Sequence, residues 1–166
     1  MTRTPARCLI LACGNTLRGD DAIGPWLAQW AEEHFAADPR VRVLSRQQWT
    51  PELAEEVAAA HSVLFIDCSV ESAPGAISVI PVGPASAGPG LATHHTGAPE
   101  LLTLAQELYG SLPHQALLLT VGAGSTELRE GFSPAVTAAL PEGYDLLETT
   151  VTQLLAIPDP STYPRP

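Results

Sequence analysis

Lysine is missing from all 166 residues, and the eight cationic side chains are all arginine. That absence excludes a Walker-type phosphate loop, a pyridoxal Schiff base and any catalytic lysine. Positive charge is scarce altogether, because 18 acidic residues bring the formal net charge to −10. A polyanion would be repelled, so neither DNA nor RNA is expected as a partner. Cysteine is scarce too. Cys8, Cys13 and Cys68 make an odd set without metal-knuckle spacing, which reads as small buried thiols rather than a disulfide framework. Long apolar runs are also missing. The stretch behind the N-terminus, Cys8 to Cys13, is too short for a secretory signal and far short of the roughly 20 residues of a membrane span. A cytoplasmic protein without membrane insertion is the expectation.

What remains is ordinary for a globular chain, with 45% apolar and 16% charged residues and a length that suits one domain. Cys8 to Cys13 reads as a strand buried on both faces, stopped by Gly14-Asn15. Ile23, Trp26, Leu27, Trp30 and Phe35 follow a helical stripe, with Pro25 in the first turn. Val41 to Leu44 is a second strand, and Thr50-Pro51 opens a helix running from Leu53 to Ala60, with the Thr50 hydroxyl as its cap. Val63 to Ile66, ending at Asp67, is the third strand, and Ala76 to Ile80 is a fourth at an edge. Residues 81–97 are Gly-, Pro- and Ser-rich without period, and a loop that long in a compact domain is usually functional or mobile. Pro99 to Leu108 is a helix closed by Gly110, Ala116 to Val121 a fifth strand, and Ser133-Pro134 opens a helical region that Tyr144 to Ile157 forms or continues.

The order predicts a single three-layer α/β domain over residues 1–157, a mostly parallel, twisted five-stranded sheet with helices on both faces, followed by a Pro-rich tail at 158–166 expected to fray. Sites in such sheets lie at the carboxyl ends of the strands. Asp20-Asp21 after the first strand and Asp67 at the end of the third should therefore meet over one edge. One aspartate of the pair can cap the helix that follows, but one cap needs one carboxylate. Asp67 alone is an ordinary turn former. His94 and His95 stand in the long loop, just before a helix, where an imidazole can swing over the site. Two carboxylates and one imidazole suit Ni²⁺, Zn²⁺ or another divalent ion, without choosing among them. His34, His61 and His114 read as surface residues. A phosphoacceptor receiver domain shares the acidic pattern but needs a lysine at the end of strand five, where this chain has Leu119-Thr-Val-Gly-Ala-Gly124. A dinucleotide site is weaker still, because Gly14-Asn-Thr-Leu-Arg-Gly19 lacks the glycine spacing.

The segment Gly14-Asn-Thr-Leu-Arg-Gly-Asp-Asp-Ala-Ile-Gly24 resembles the N-terminal signature of the hydrogenase maturation proteases. Phe65-Ile-Asp67 with Pro74-Gly75, then His94-His-Thr-Gly97 with Glu100-Leu-Leu102, continue the likeness in order. Leu118-Leu-Thr-Val-Gly122 and Gly131-Phe-Ser-Pro134 complete it, so that it covers about residues 8–155. Carried over position by position, it places the metal-contacting and catalytic residues at Asp21, Asp67 and His94. The family histidine precedes its glycine by three, which selects His94 over His95. The resemblance implies an endopeptidase that removes a C-terminal extension from the large-subunit precursor of a nickel–iron hydrogenase, completing and so activating that enzyme. It further implies that the Ni²⁺ being read is carried by the precursor, with Zn²⁺ or Cd²⁺ able to take its place in a crystal; a monomer or weak homo-oligomer is the expectation for the assembly. A carboxylate general base and a Lewis-acid metal are each chemically adequate for the cleavage. Ser45-Arg-Gln-Gln-Trp-Thr-Pro51 departs from the Gly-Thr-x-Gly-like turn of many relatives and is expected to help read a different hydrogenase precursor. Two other readings stand beside this one: a nickel-sensing or chaperone-like relative that binds the precursor without cutting it, and an α/β domain using a divalent ion for another hydrolysis.

Overall fold

The structure, a computed structural model, describes residues 4–86 and 96–160. Five strands form one sheet in the order β2-β1-β3-β5-β4. They are β1 (Cys8–Cys13), β2 (Val41–Arg46), β3 (Ser62–Ser69), β4 (Ile77–Pro81) and β5 (Gln115–Gly122). β2, β1, β3 and β5 are parallel, and β4 joins β5 antiparallel as an edge strand. The helices are α1 (Ile23–His34), α2 (Ala54–Ala59), α3 (Ala98–Tyr109) and α4 (Pro134–Leu155). The expected three-layer architecture is the observed one.

Alternation along the strands builds two cores. Cys8, Ile10 and Ala12 of β1, with Leu64 and Ile66 of β3, pack against α1 and α4. Leu9, Leu11 and Cys13, with Val63 and Phe65, face α2 and α3. Continuous apolar runs are required because both sheet faces are covered. The carboxyl ends of β1 and β3 share this alternation, so Cys13 and Asp67 fall on the α2/α3 side of the sheet.

Two local expectations change and a third, left open between two alternatives, is decided. Trp26 does not join the buried stripe of α1; it is 48% exposed, while Ile23, Leu27, Ala28 and Ala31 are buried. The small alanines let α1 approach the sheet, and the indoles turn toward α4 instead. Trp26 Nε1 donates to the Tyr144 hydroxyl at 2.7 Å, and Trp30 stacks on Tyr144 at 5.0 Å between centroids. Thr50 makes no side-chain cap; Pro51–Leu53 form a 3₁₀ turn before a shorter α2. The Thr50 hydroxyl goes to Glu52 and holds that carboxyl below its usual range. Finally, α4 is one continuous helix capped by Ser133, whose hydroxyl accepts from Val136 N at 3.5 Å. Pro141 removes one helical donor, yet Val136, Leu147, Val151 and Leu154 keep both halves on the sheet.

The entry to α1 is set by close backbone approach. A Cβ on Gly24 would lie 2.1 Å from the carbonyl oxygen of Cys13. Gly24→Ala is therefore expected to destabilise the fold by about 3 kcal/mol, read by urea unfolding. A loss within experimental error would show that α1 can be displaced from the end of β1 without cost.

Candidate active site

The strand order reverses between β1 and β3, the point at which a sheet of this kind opens a crevice beyond its carboxyl ends. The β1–α1 loop folds tightly into that opening: a Cβ on Gly14 would lie 2.0 Å from the Asp21 carbonyl oxygen. Asn15 then turns the chain, its side-chain oxygen accepting from Leu17 N at 2.9 Å and its carbonyl from Arg18 N at 3.1 Å. Asn15 N donates to Asp21 Oδ2 at 2.6 Å. The Gly-Asn pair thereby fixes the second aspartate.

Asp20 does something different, and neither aspartate caps a helix with its side chain. Asp20 is completely buried. Its Oδ2 accepts from Gly124 N at 2.7 Å and Ser125 N at 3.1 Å, and its Oδ1 from Ser133 N at 2.7 Å. Burial pushes this carboxyl upward, but the hydrogen bonds from Ser133, Ser125 and Gly124 outweigh it and hold it below the usual range. The first aspartate clamps the β5–α4 loop to the β1–α1 loop; the second is left for the crevice.

Asp67, expected to end the third strand, lies two residues inside its carboxyl end, because β3 stays paired with β5 as far as Ser69↔Gly122. Its Oδ1 accepts from the Cys68 amide at 2.7 Å, and the Cys13 thiol donates to its carboxylate. Burial raises the Asp67 carboxyl, the Asp21 charge adds to that, and the two donors only partly oppose it. Burial and then the Asp67 carboxylate push the Cys13 thiol up as well, so it is a proton donor at neutral pH.

Asp21, Asp67 and Cys13 line one cavity of about 700 Å³. Its wall includes Gln47, Gln48 and Trp49 from the loop between β2 and α2, and Thr96, Gly97 and Glu100 at the start of α3. Trp49 is held edge-on against Phe65 with centroids 5.3 Å apart. Arg18 is the one cation among the described lining residues, and its Nε donates to the Thr126 carbonyl at 3.1 Å. The Glu100 carboxylate accepts from Gly97 N at 3.1 Å, pinning the backbone where the long loop returns.

The structure thus brings together two of the three predicted site residues. His94, like its neighbour His95, lies outside the described residues, although Thr96 and Gly97 just beyond them are part of the wall. Among the described residues no three His, Cys, Asp or Glu side chains are grouped to hold a metal ion. Asp21 and Asp67 offer carboxylate oxygens suited to a divalent cation, which is a partial donor set. His34 and His114 are exposed as expected, but His61 is half-buried, its ring 4.5 Å from that of His114. Cys13, Arg18 and Glu100 do not stand out in the sequence. Cys13 does carry a usable signal, since it ends a fully buried strand directly before Gly14-Asn15.

Asp20→Ala should lower the unfolding free energy by about 3 kcal/mol at neutral pH, because three backbone amides lose their charged acceptor. A carboxyl held low in the folded state stabilises fully above its unfolded value, and that contribution is lost as pH falls through the folded value. Urea melts of wild type and variant should therefore converge in acid; a gap independent of pH would exclude the clamp. Asp67→Asn should behave oppositely. The folded state raises this carboxyl, so its ionised form is disfavoured at neutral pH and the penalty is relieved as pH falls. The variant should melt at the same or a higher temperature, and a drop of several degrees would contradict the assignment.

No protein-family model matches the sequence, and no curated protein matches it either. Solved structures do match. The hydrogenase maturating endopeptidase HybD from E. coli is 22% identical, with 89% of this chain and 93% of that one covered at a TM-score of 0.65. The NiFe hydrogenase maturation protease HycI from Thermococcus kodakarensis is 25% identical, with 92% and 94% covered at 0.65. The hydrogenase 2 maturation peptidase from Thaumarchaeota archaeon SCGC_AB-539-E09 is 24% identical, with 88% and 98% covered at 0.62. Across about nine-tenths of its length, this chain has the fold of the hydrogenase maturation proteases.

Proposed function

We propose that this protein is an endopeptidase that removes a C-terminal extension from the large-subunit precursor of a nickel–iron hydrogenase. The observation that carries this reading is the meeting of Asp21 and Asp67, distant in sequence, in one cavity of about 700 Å³ at the carboxyl edge of a maturation-protease fold. No helix among the described residues is long and apolar enough to cross a membrane. A cytoplasmic site of action is part of the proposal.

In this reading the nickel arrives with the substrate, and Asp21, Asp67 and His94 test for it. Asp21 is presented by the Asn15 amide, and Asp67 lies within β3, paired with Thr120 of β5, so the carboxylates are placed before the precursor arrives. The two carboxylates also differ in environment, and the raised Asp67 takes up a proton more readily than a solvated aspartate. That asymmetry is what general acid–base chemistry uses at a pair of carboxyl groups. Gln47, Gln48 and Trp49 stand on the cavity wall, where the departure from the family's glycine turn would alter which precursor is read.

Nickel-loaded and nickel-free precursor, each incubated with the protein and analysed by mass spectrometry, test the proposal. Only the loaded form should lose its tail. Asp21→Asn, Asp67→Asn and His94→Ala should each reduce that cleavage about 100-fold or more, whereas His95→Ala should change it little. Equal cleavage of both forms would overturn nickel sensing. Binding of the precursor without any cleavage would favour the chaperone-like reading.

A further inference from the structure

Asp67 is a half-buried carboxylate whose orientation is only half explained by its own strand. The Cys68 amide beside it engages Oδ1, a contact between neighbouring residues that constrains the side chain weakly. The other contact comes from a different strand. The β1–β3 register runs to Ala12↔Ile66, so Cys13 stands abreast of Asp67 at the next position. Both lie on the α2/α3 side and both line the cavity, which sets the thiol and the carboxylate side by side across the two strands, and a thiol donor partly offsets the effect of burial on the Asp67 carboxyl. The Cys13 backbone is immobilised from behind, with Gly24 packed so closely on its carbonyl that no Cβ fits.

From this arrangement we infer that Cys13 is a positioning residue, holding the Asp67 carboxylate in the cavity it shares with Asp21 through a thiol hydrogen bond across β1 and β3. The choice of a thiol has a physical logic. An S–H group is a weak donor, so it fixes direction while leaving most of the acceptor capacity of the carboxylate for an incoming substrate. A guanidinium or amide at this place would occupy that capacity much more strongly. Alanine or valine would leave one edge of a half-buried carboxylate without a donor from a second strand.

The inference rests on the proposed processing role for its kinetic readout, but the contact can be measured without it. In the infrared, the S–H stretching band that disappears in Cys13→Ser should move to higher wavenumber in Asp67→Ala, because the acceptor is gone. In the processing assay, Cys13→Ala should lower kcat about tenfold, the rate equivalent of one hydrogen bond to a charged group, with KM changed less than twofold. Cys13→Ser supplies a hydroxyl donor in the same place and should recover at least half of the lost rate. That rescue also separates positioning from a packing defect, since serine restores a donor without restoring the apolar volume of the sulfur. An S–H band indifferent to Asp67, or a Cys13→Ala enzyme with wild-type kcat, would overturn the inference. If the wild-type protein cleaves neither form of the precursor, the processing role falls instead, and the infrared band alone decides the contact.

Discussion

The three backbone hydrogen bonds to the buried Asp20 carboxylate hold the upper end of this molecule together. They join residues more than a hundred positions apart, tying the loop after β1 to the loop after β5 and to Ser133, the cap of α4. That clamp sets the height of the β1–α1 loop above the sheet, on which the Asn15 amide then directs Asp21. The Arg129 carbonyl reinforces the same junction by accepting from Gly19 N at 2.9 Å, as does the Ser125 carbonyl, which accepts from Asp20 N at 3.0 Å. A carboxylate suits this place because it can accept several donors at once, and charge-assisted bonds are stronger than neutral ones. Two adjacent aspartates therefore play complementary parts, the first making the loop rigid and the second using that rigidity.

Much of this is legible in the sequence, and what is not has identifiable causes. β1 is readable to the residue because a strand covered on both faces must be apolar throughout, and Gly14 ends it sharply. The meeting of Asp21 and Asp67 follows from the parallel order alone, since the ends of β1 and β3 must lie together. The role of Asp20 is not readable, because its partners are amides on a loop that no local pattern connects to it. Trp26 escapes the pattern for a related reason: hydrophobic periodicity cannot tell a tryptophan bound for the sheet from one whose indole N–H is claimed by a tyrosine on a distant helix. Cys13 reads as a buried thiol, and buried it is, but only the β1–β3 register reveals what lies beside it. His94 lies outside the described residues, so its place rests on the resemblance.

The crevice combines features that stability alone would not select. The chain already carries net charge −10, yet Asp21 and Asp67 share one cavity, Glu100 stands on its wall, and Arg18 is the one described cation lining it. Burial and the neighbouring Asp21 both work against the charge on Asp67. Amide residues at these positions would relieve that conflict while still offering an oxygen to the Asn15 and Cys68 amides. Local conflict kept within an otherwise consistent fold is the mark of a site shaped by what it binds. The missing favourable term is positive charge brought from outside. Under the proposed function, a cation presented by a folded precursor would supply it only when loaded, and the repulsion that weakens the free protein would then discriminate loaded from empty substrate. Recognition of this kind needs carboxylates that are rigid before the cation arrives, and the Asp20 clamp, the Asn15 amide and the Cys13 thiol each contribute to that rigidity.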